Sequence, residues 1–133
     1  MLTLKILMKD TSSPAYYRQA VEEYTKRLGR YCNLSLETVK ESDLEAALAS
    51  PGYMIRVSQK GRQMDSVAFA QQLDSLATQG VSKITFILNM KYPDAQDSLS
   101  LTTISLEDPL HLVALLEQIY RSFRITNGEP YHK

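Results

Sequence analysis

Glu117, Arg121 and Arg124 stand at i, i+4 and i+7 in a segment that is otherwise almost wholly apolar, and Tyr131, His132 and Lys133 close the chain. On a helix the first three form a single polar stripe. The plain reading is an intrahelical Glu-to-Arg pair worth about 0.3 kcal/mol, with a further cation near the helix C-terminus. The same stripe beside a stacking ring, an imidazole and an ammonium can also place an RNA base and its phosphates. Spacing alone leaves both readings open. Gly128 is a natural helix stop and Pro130 stiffens the tail beyond it. The tail is therefore expected to contribute little core, and its removal to leave the melting temperature nearly unchanged.

Other reactive side chains point to less. His111 falls among apolar residues, as a packed core or interface histidine does. Cys32 is the single cysteine, which excludes an intrachain disulfide and a cysteine-rich metal site. With two histidines besides, a metal site would have to draw carboxylates from scattered places, and none is expected. Lys60-Gly61-Arg62 has one glycine and does not make a phosphate loop. Tyr16, Tyr17, Tyr24 and Tyr31 read as core and interface rather than as a stacking platform.

The elements that must position these residues are those of one domain of 133 residues. Fifteen basic and fifteen acidic residues cancel, so a protein that coats nucleic acid by net charge is excluded, while a local patch is not. No apolar run suits a membrane span, and the N-terminus alternates like a strand instead of carrying a signal peptide, so the cytoplasm is the expected compartment. Leu2, Leu4, Ile6 and Met8 alternate as a first strand. Ser13 as N-cap and Pro14 at the first helical position predict a helix over 14–30 with Tyr17, Val21, Tyr24 and Leu28 inward. Leu34, Leu36 and Thr38 form a second strand, and Ser42 with Glu45 has the spacing of a capping box for a short helix. A third strand follows over 53–57, then a helix capped by Asp65 and stopped by Gly80. The continuous apolar run 84–88 is a buried parallel strand. Residues 89–98 suggest no helix, 99–106 a fifth strand, and Asp108-Pro109 the start of a last helix over about 110–126. Strands alternating with helices give an α/β fold with a mostly parallel five-stranded sheet. The last helix is apolar almost all round, which predicts a homodimer through Leu112, Leu116, Ile119 and Phe123.

Glu117 to Ile125 and Gly128 to Lys133 resemble, almost continuously, the C-terminal signature of the SPOUT enzymes that methylate N3 of a pseudouridine in 23S ribosomal RNA. Glu22 to Leu28 with Arg30-Tyr31-Cys32, and Tyr53-Met54-Ile55 with Gly61-Arg62-Gln63 and Phe69-Ala70, extend the likeness upstream. The resemblance implies an α/β fold with a C-terminal trefoil knot, an obligate homodimer, and a large-subunit RNA substrate. It also implies S-adenosylmethionine held by three loops, here at Val57, at Leu88 and Asn89, and at Leu106 and Glu107. The tail is implied to lie near the active site, with His132, Arg121 and Tyr131 as the catalytic set and Arg124 and Lys133 touching RNA.

Departures from the family pattern concentrate on the cofactor side. The loop after the fourth strand, Asn89-Met90-Lys91-Tyr92-Pro93-Asp94, is short and lacks glycine, although asparagine tolerates left-handed backbone conformations. Glu107-Asp108 replaces Pro-His, Ser58 replaces an acidic residue, and Leu112 an arginine. These changes leave two readings: a divergent methyltransferase with weakened cofactor binding, or a non-catalytic protein that keeps the scaffold, the dimer and a ribosomal contact.

Overall fold

A computed structural model describes residues 1–10 and 13–133. The strands are β1 (Leu2–Met8), β2 (Cys32–Thr38), β3 (Tyr53–Val57), β4 (Lys83–Leu88) and β5 (Asp97–Leu99), and the helices α1 (Ala15–Leu28), α2 (Leu44–Ala47), α3 (Ser66–Thr78) and α4 (Asp108–Thr126). The strands form one sheet in the order β2-β1-β4-β3-β5, and every pairing is parallel. β4 lies at its centre, with Ile84 to Leu88 buried without interruption, as a strand covered on both faces requires. On one face α1, α3 and α4 pack through Leu28, Phe69, Leu73, Leu115, Leu116 and Ile119 against Leu4, Ile55 and Phe86. On the other, Leu44 and Leu48 cover Leu7, Met54 and Ile87, together with Met90.

Several local expectations change. Pro14, in extended backbone (ψ 156°), is itself the residue that precedes α1, so the helix begins one position later than Ser13 would set it. Thr11 and Ser12, the remainder of that expected start signal, lie outside the described residues. Ser42 caps nothing: it sits inside a 3-10 turn at Glu41–Asp43, and α2 starts from Asp43 with no side-chain cap. Asp65 caps α3 as its type suggests, accepting from the Ala68 amide at 2.8 Å. Glu107, not Asp108, precedes α4, and Pro109 falls in its first turn, where a missing N–H costs nothing.

β5 is shorter than its alternating side chains predict. It pairs with β3 only from Ile55↔Asp97 to Val57↔Leu99, and β3 ends there. Beyond it the hydroxyls of Ser100 and Thr102 fold the chain locally, Ser100 Oγ donating to the Thr102 carbonyl and the Ile104 amide to Thr102 Oγ1. At this point Leu99 runs against the backbone of the loop after β3. A Cβ on Gly61 would lie 2.5 Å from the Leu99 carbonyl, so only glycine allows the two segments to pass. The Ser58 amide donates to the Leu99 carbonyl and the Ser100 amide to that of Arg62, which fixes residues 99 and 100 against 58–62.

The expected dimer face is corrected. Leu116 and Ile119 are fully buried and Leu112 nearly so, all inside the protomer's own core, and Phe123 stacks on Tyr31 with ring centroids 5.3 Å apart. The helix is apolar all round because α1, α3 and the sheet already enclose most of it. Its half-buried side carries Leu110, Val113, Ala114 and Glu117, along a groove of about 530 Å³ that Leu106, Leu101 and Phe69 also line.

Candidate active site

Two groups of candidate residues lie at opposite ends of α4. The first is the loop cluster at the carboxyl ends of β3 and β4. Val57 and Leu88 are buried, so only their backbone serves the loops. Asn89 is the one non-glycine residue with positive φ among the described residues, at 56°; it fills a left-handed position that otherwise favours glycine. Its amide donates to the Val57 carbonyl at 2.8 Å, and its side-chain Nδ2 to Asp108 Oδ1 at 2.8 Å, which ties β3, β4 and the start of α4 together. Glu107, exposed at the start of α4, pushes the Tyr17 phenol up to about 12, chiefly as a hydrogen-bond acceptor. Leu106 lies beside the groove along α4. The structure thus brings the five expected cofactor positions into one neighbourhood.

Gln59, which no motif or spacing singles out, closes this neighbourhood. It donates from Nε2 to the Thr103 carbonyl at 2.8 Å and accepts from Ser105 Oγ at 2.9 Å, so it bridges the loop after β3 to the one before α4. Ser58 Oγ, next to it, is buried and has no partner among the described residues. An orphaned hydroxyl, backbone groups of three converging loops and two carboxylates match in kind the polar edges and the positive sulfonium of S-adenosylmethionine.

The second cluster is the tail. Glu117 Oε1 accepts from Arg121 Nε at 3.1 Å and Nη2 at 2.6 Å, and from the Tyr131 hydroxyl at 3.1 Å. Its Oε2 accepts from Gln118 Nε2, and Gln118 Oε1 from Ser66 Oγ of α3, so the carboxylate is held from both sides. Arg121 lies 4.8 Å from the centroid of the Tyr131 ring, which meets Tyr120 edge-on at 5.0 Å. Burial, then hydrogen bonding and the Glu117 charge, push the Tyr131 hydroxyl well above its ordinary value. Arg121 Nη1 is 3.1 Å from His132 Nδ1. A guanidinium only donates, so in this contact Nδ1 is the acceptor.

Arg124 has a different place from the one expected of an RNA contact. Nη1 donates to Glu129 Oε2 at 2.8 Å and to the Tyr31 hydroxyl at 3.3 Å, and Nη2 donates to the Pro130 carbonyl at 3.2 Å. The Tyr31 hydroxyl donates in turn to Glu129 Oε1 at 2.6 Å, which with Arg124 holds the Glu129 carboxyl below the usual range. Arg124 and Tyr31 therefore anchor the tail. The tail does contribute to packing, contrary to expectation, because the half-buried Tyr131 packs against the principal core. His132 and Lys133 are exposed.

Within one protomer the two clusters do not meet. Thirteen residues separate Asp108 from Arg121 along an unbroken helix, about 20 Å at the usual rise. Among the described residues no group of three or more His, Cys, Asp and Glu is placed to hold a metal ion, and no helix is long and apolar enough to cross a membrane.

Compared with known families, residues 2–132 match the model described as "Predicted SPOUT methyltransferase". The chain belongs to the SPOUT methyltransferase family. It is similar to the Ribosomal RNA large subunit methyltransferase H of Exiguobacterium sibiricum, 34% identical over 145 residues that cover 89% of this chain and 91% of the relative. The protein of the same name from Limosilactobacillus reuteri is 30% identical over 161 residues, covering 99% of this chain and 100% of the relative. That of Bacillus cytotoxicus is 34% identical over 147 residues. An alignment of 161 positions exceeds the 133 residues of this chain, so the L. reuteri relative carries segments that this SPOUT protein lacks.

Proposed function

We propose that this SPOUT protein is an S-adenosylmethionine-dependent methyltransferase acting on a pseudouridine of large-subunit ribosomal RNA, with weak cofactor affinity, and that it works as a homodimer. The observation that carries the reading is the pre-set tail, in which Glu117 fixes Arg121 and Tyr131, and Arg121 fixes His132. When bound, S-adenosylmethionine supplies an electrophilic methyl group. Such a methyl needs little activation, so the protein's part is mainly alignment. Ser58, Asn89 and the backbone beside Val57, Leu88 and Leu106 would hold the cofactor, with Glu107 and Asp108 facing its positive charge. Tyr131 and Arg121 would orient the base and His132 would offer its imidazole edge, while Lys133 meets phosphate.

The dimer is what joins the two clusters. The stripe Leu110, Val113, Ala114, Glu117 and Arg121 runs the length of the half-buried side of α4. An antiparallel pairing with a second copy, centred between Val113 and the small Ala114, sets Leu110 opposite Glu117 and Leu106 opposite Arg121. The tail of one protomer then reaches the loops of its partner. We further infer that the close crossing of Gly61 and Leu99 belongs to a C-terminal trefoil knot.

The test is transfer of a tritiated methyl group from S-adenosylmethionine to purified large ribosomal subunits, with light scattering on the same sample. Label in the RNA and a dimeric mass are expected. A monomeric mass refutes the composite site. A second reading, a non-catalytic RNA-binding dimer, is favoured by the Gln59 bridge across the cofactor loops. It predicts ribosome binding without label and no calorimetric heat with the cofactor.

A further inference from the structure

Tyr120, near the end of α4, is surrounded by rings and guanidinium groups from three parts of the chain. Tyr24 and Tyr31 lie 6.2 Å from it, centroid to centroid, and Tyr131 lies 5.0 Å away. Arg27 sits 5.6 Å from the centroids of both Tyr24 and Tyr120, Arg124 is 5.9 Å from that of Tyr120, and Arg30 is 5.5 Å from that of Tyr31. Cations and tyrosines thus alternate without a gap from the last turn of α1 to the tail. Glu23 pairs with Arg27, Glu117 with Arg121 and Glu129 with Arg124. Lys26, Arg30 and Lys133 are exposed and carry no ion pair among the described residues. The formal charge of the chain is zero, so any hold on phosphate here rests on these local cations rather than on net charge.

We propose that this arginine-tyrosine surface, extending from the tail onto Lys26 and Arg30 of α1 and its C-terminal turn, is a docking surface for RNA that tracks the phosphates flanking the target base. The proposal rests on the RNA reading above and adds a contact outside the tail. Arg27, exposed and held against the rings of Tyr24 and Tyr120, presents a flat, ordered face on which a base stacks, while the unpaired cations neutralise phosphates. An acidic protein segment would use the charges and leave the planar faces idle.

The experiment is fluorescence anisotropy of a labelled RNA hairpin with an unpaired loop, titrated with the full chain over a series of salt concentrations. Each phosphate contact contributes about 0.7 to 0.9 to the slope of log K against log salt. Arg30→Gln should lower the slope by about that amount, and Lys26→Gln with Arg30→Gln by about twice as much, with unchanged melting temperatures. Lys40→Gln, beyond the opposite end of β2, should change neither slope nor affinity. Wild-type affinity and slope in the double variant overturn the surface while leaving the tail reading intact. If the wild-type chain binds no hairpin, the RNA reading itself fails and takes the surface with it. Displacement of the hairpin by polyglutamate at equal charge concentration would show a general acidic-partner site and overturn the RNA assignment.

Discussion

Deleting residues 131–133 should destabilise the protein, in spite of the tail's position beyond the last helix. The edge-on contact of Tyr131 with Tyr120 is worth about 1 kcal/mol, and the Arg121 guanidinium at its ring about 0.5 kcal/mol at this half-exposed site. Its hydroxyl bond to the Glu117 carboxylate contributes about 1 kcal/mol after allowance for solvent. Ordering Tyr131 and its immediate backbone offsets part of this, which leaves a net of about 1–2 kcal/mol. For a domain of this size that is about 4–8 °C in Tm. Scanning calorimetry of the full chain, the 131–133 deletion and a 132–133 deletion decides the matter. The shorter deletion removes two exposed residues and should melt with the full chain. A 131–133 deletion that melts within about 1 °C of the full chain would refute the anchored tail, because the edge-on ring contact alone predicts more.

Asn89→Ala should cost about 2 kcal/mol in chemical denaturation, from the left-handed backbone and the lost bond to Asp108, and Asn89→Gly less than that; the reverse order would contradict the backbone reading. Cys32 is 1% exposed and burial pushes its thiol up to about 11, so iodoacetamide should modify it only after unfolding. His111 is buried and its folded pKa is lowered from 6.5, chiefly by desolvation and against the pull of Asp108. The unfolded chain therefore binds the proton more readily, and this contribution to stability is complete above 6.5 and lost as pH falls from there through the lower folded value. His111→Gln should flatten that part of the stability-pH curve.

What could be read from sequence was set by local chemistry. The apolar run 84–88 announced a doubly covered strand, Asp65 a cap and Asn89 a left-handed position, because each depends on few neighbours. Ser13 and Ser42 carried the same kind of signal, but a cap also depends on the backbone angles around it, and those were set by packing. The pattern over 99–106 alternates, yet a strand needs a partner, and β3 has no residue to pair beyond Val57. Tyr31 and Glu129 are separated by 98 positions, so the bond that anchors the tail had no local trace. The expected cofactor loops came through resemblance, whereas the Gln59 bridge had no local trace, since it bonds two groups more than forty residues away. Leu112, Leu116, Ile119 and Phe123 were expected at an interface because apolar periodicity does not tell a protomer's own core from a contact with a second copy.

The length of α4 carries a consequence for how defects combine. With loops and tail about 20 Å apart in a protomer, a chain damaged at Asn89 and a chain damaged at Tyr131 carry lesions that fall in different halves of a shared site. In the antiparallel dimer proposed here, a mixed pair has one site with both lesions and one site with neither. Two inactive chains co-expressed in equal amounts would then complement each other, restoring about a quarter of the sites if pairing is random. Chains whose sites were self-contained could not rescue one another at all.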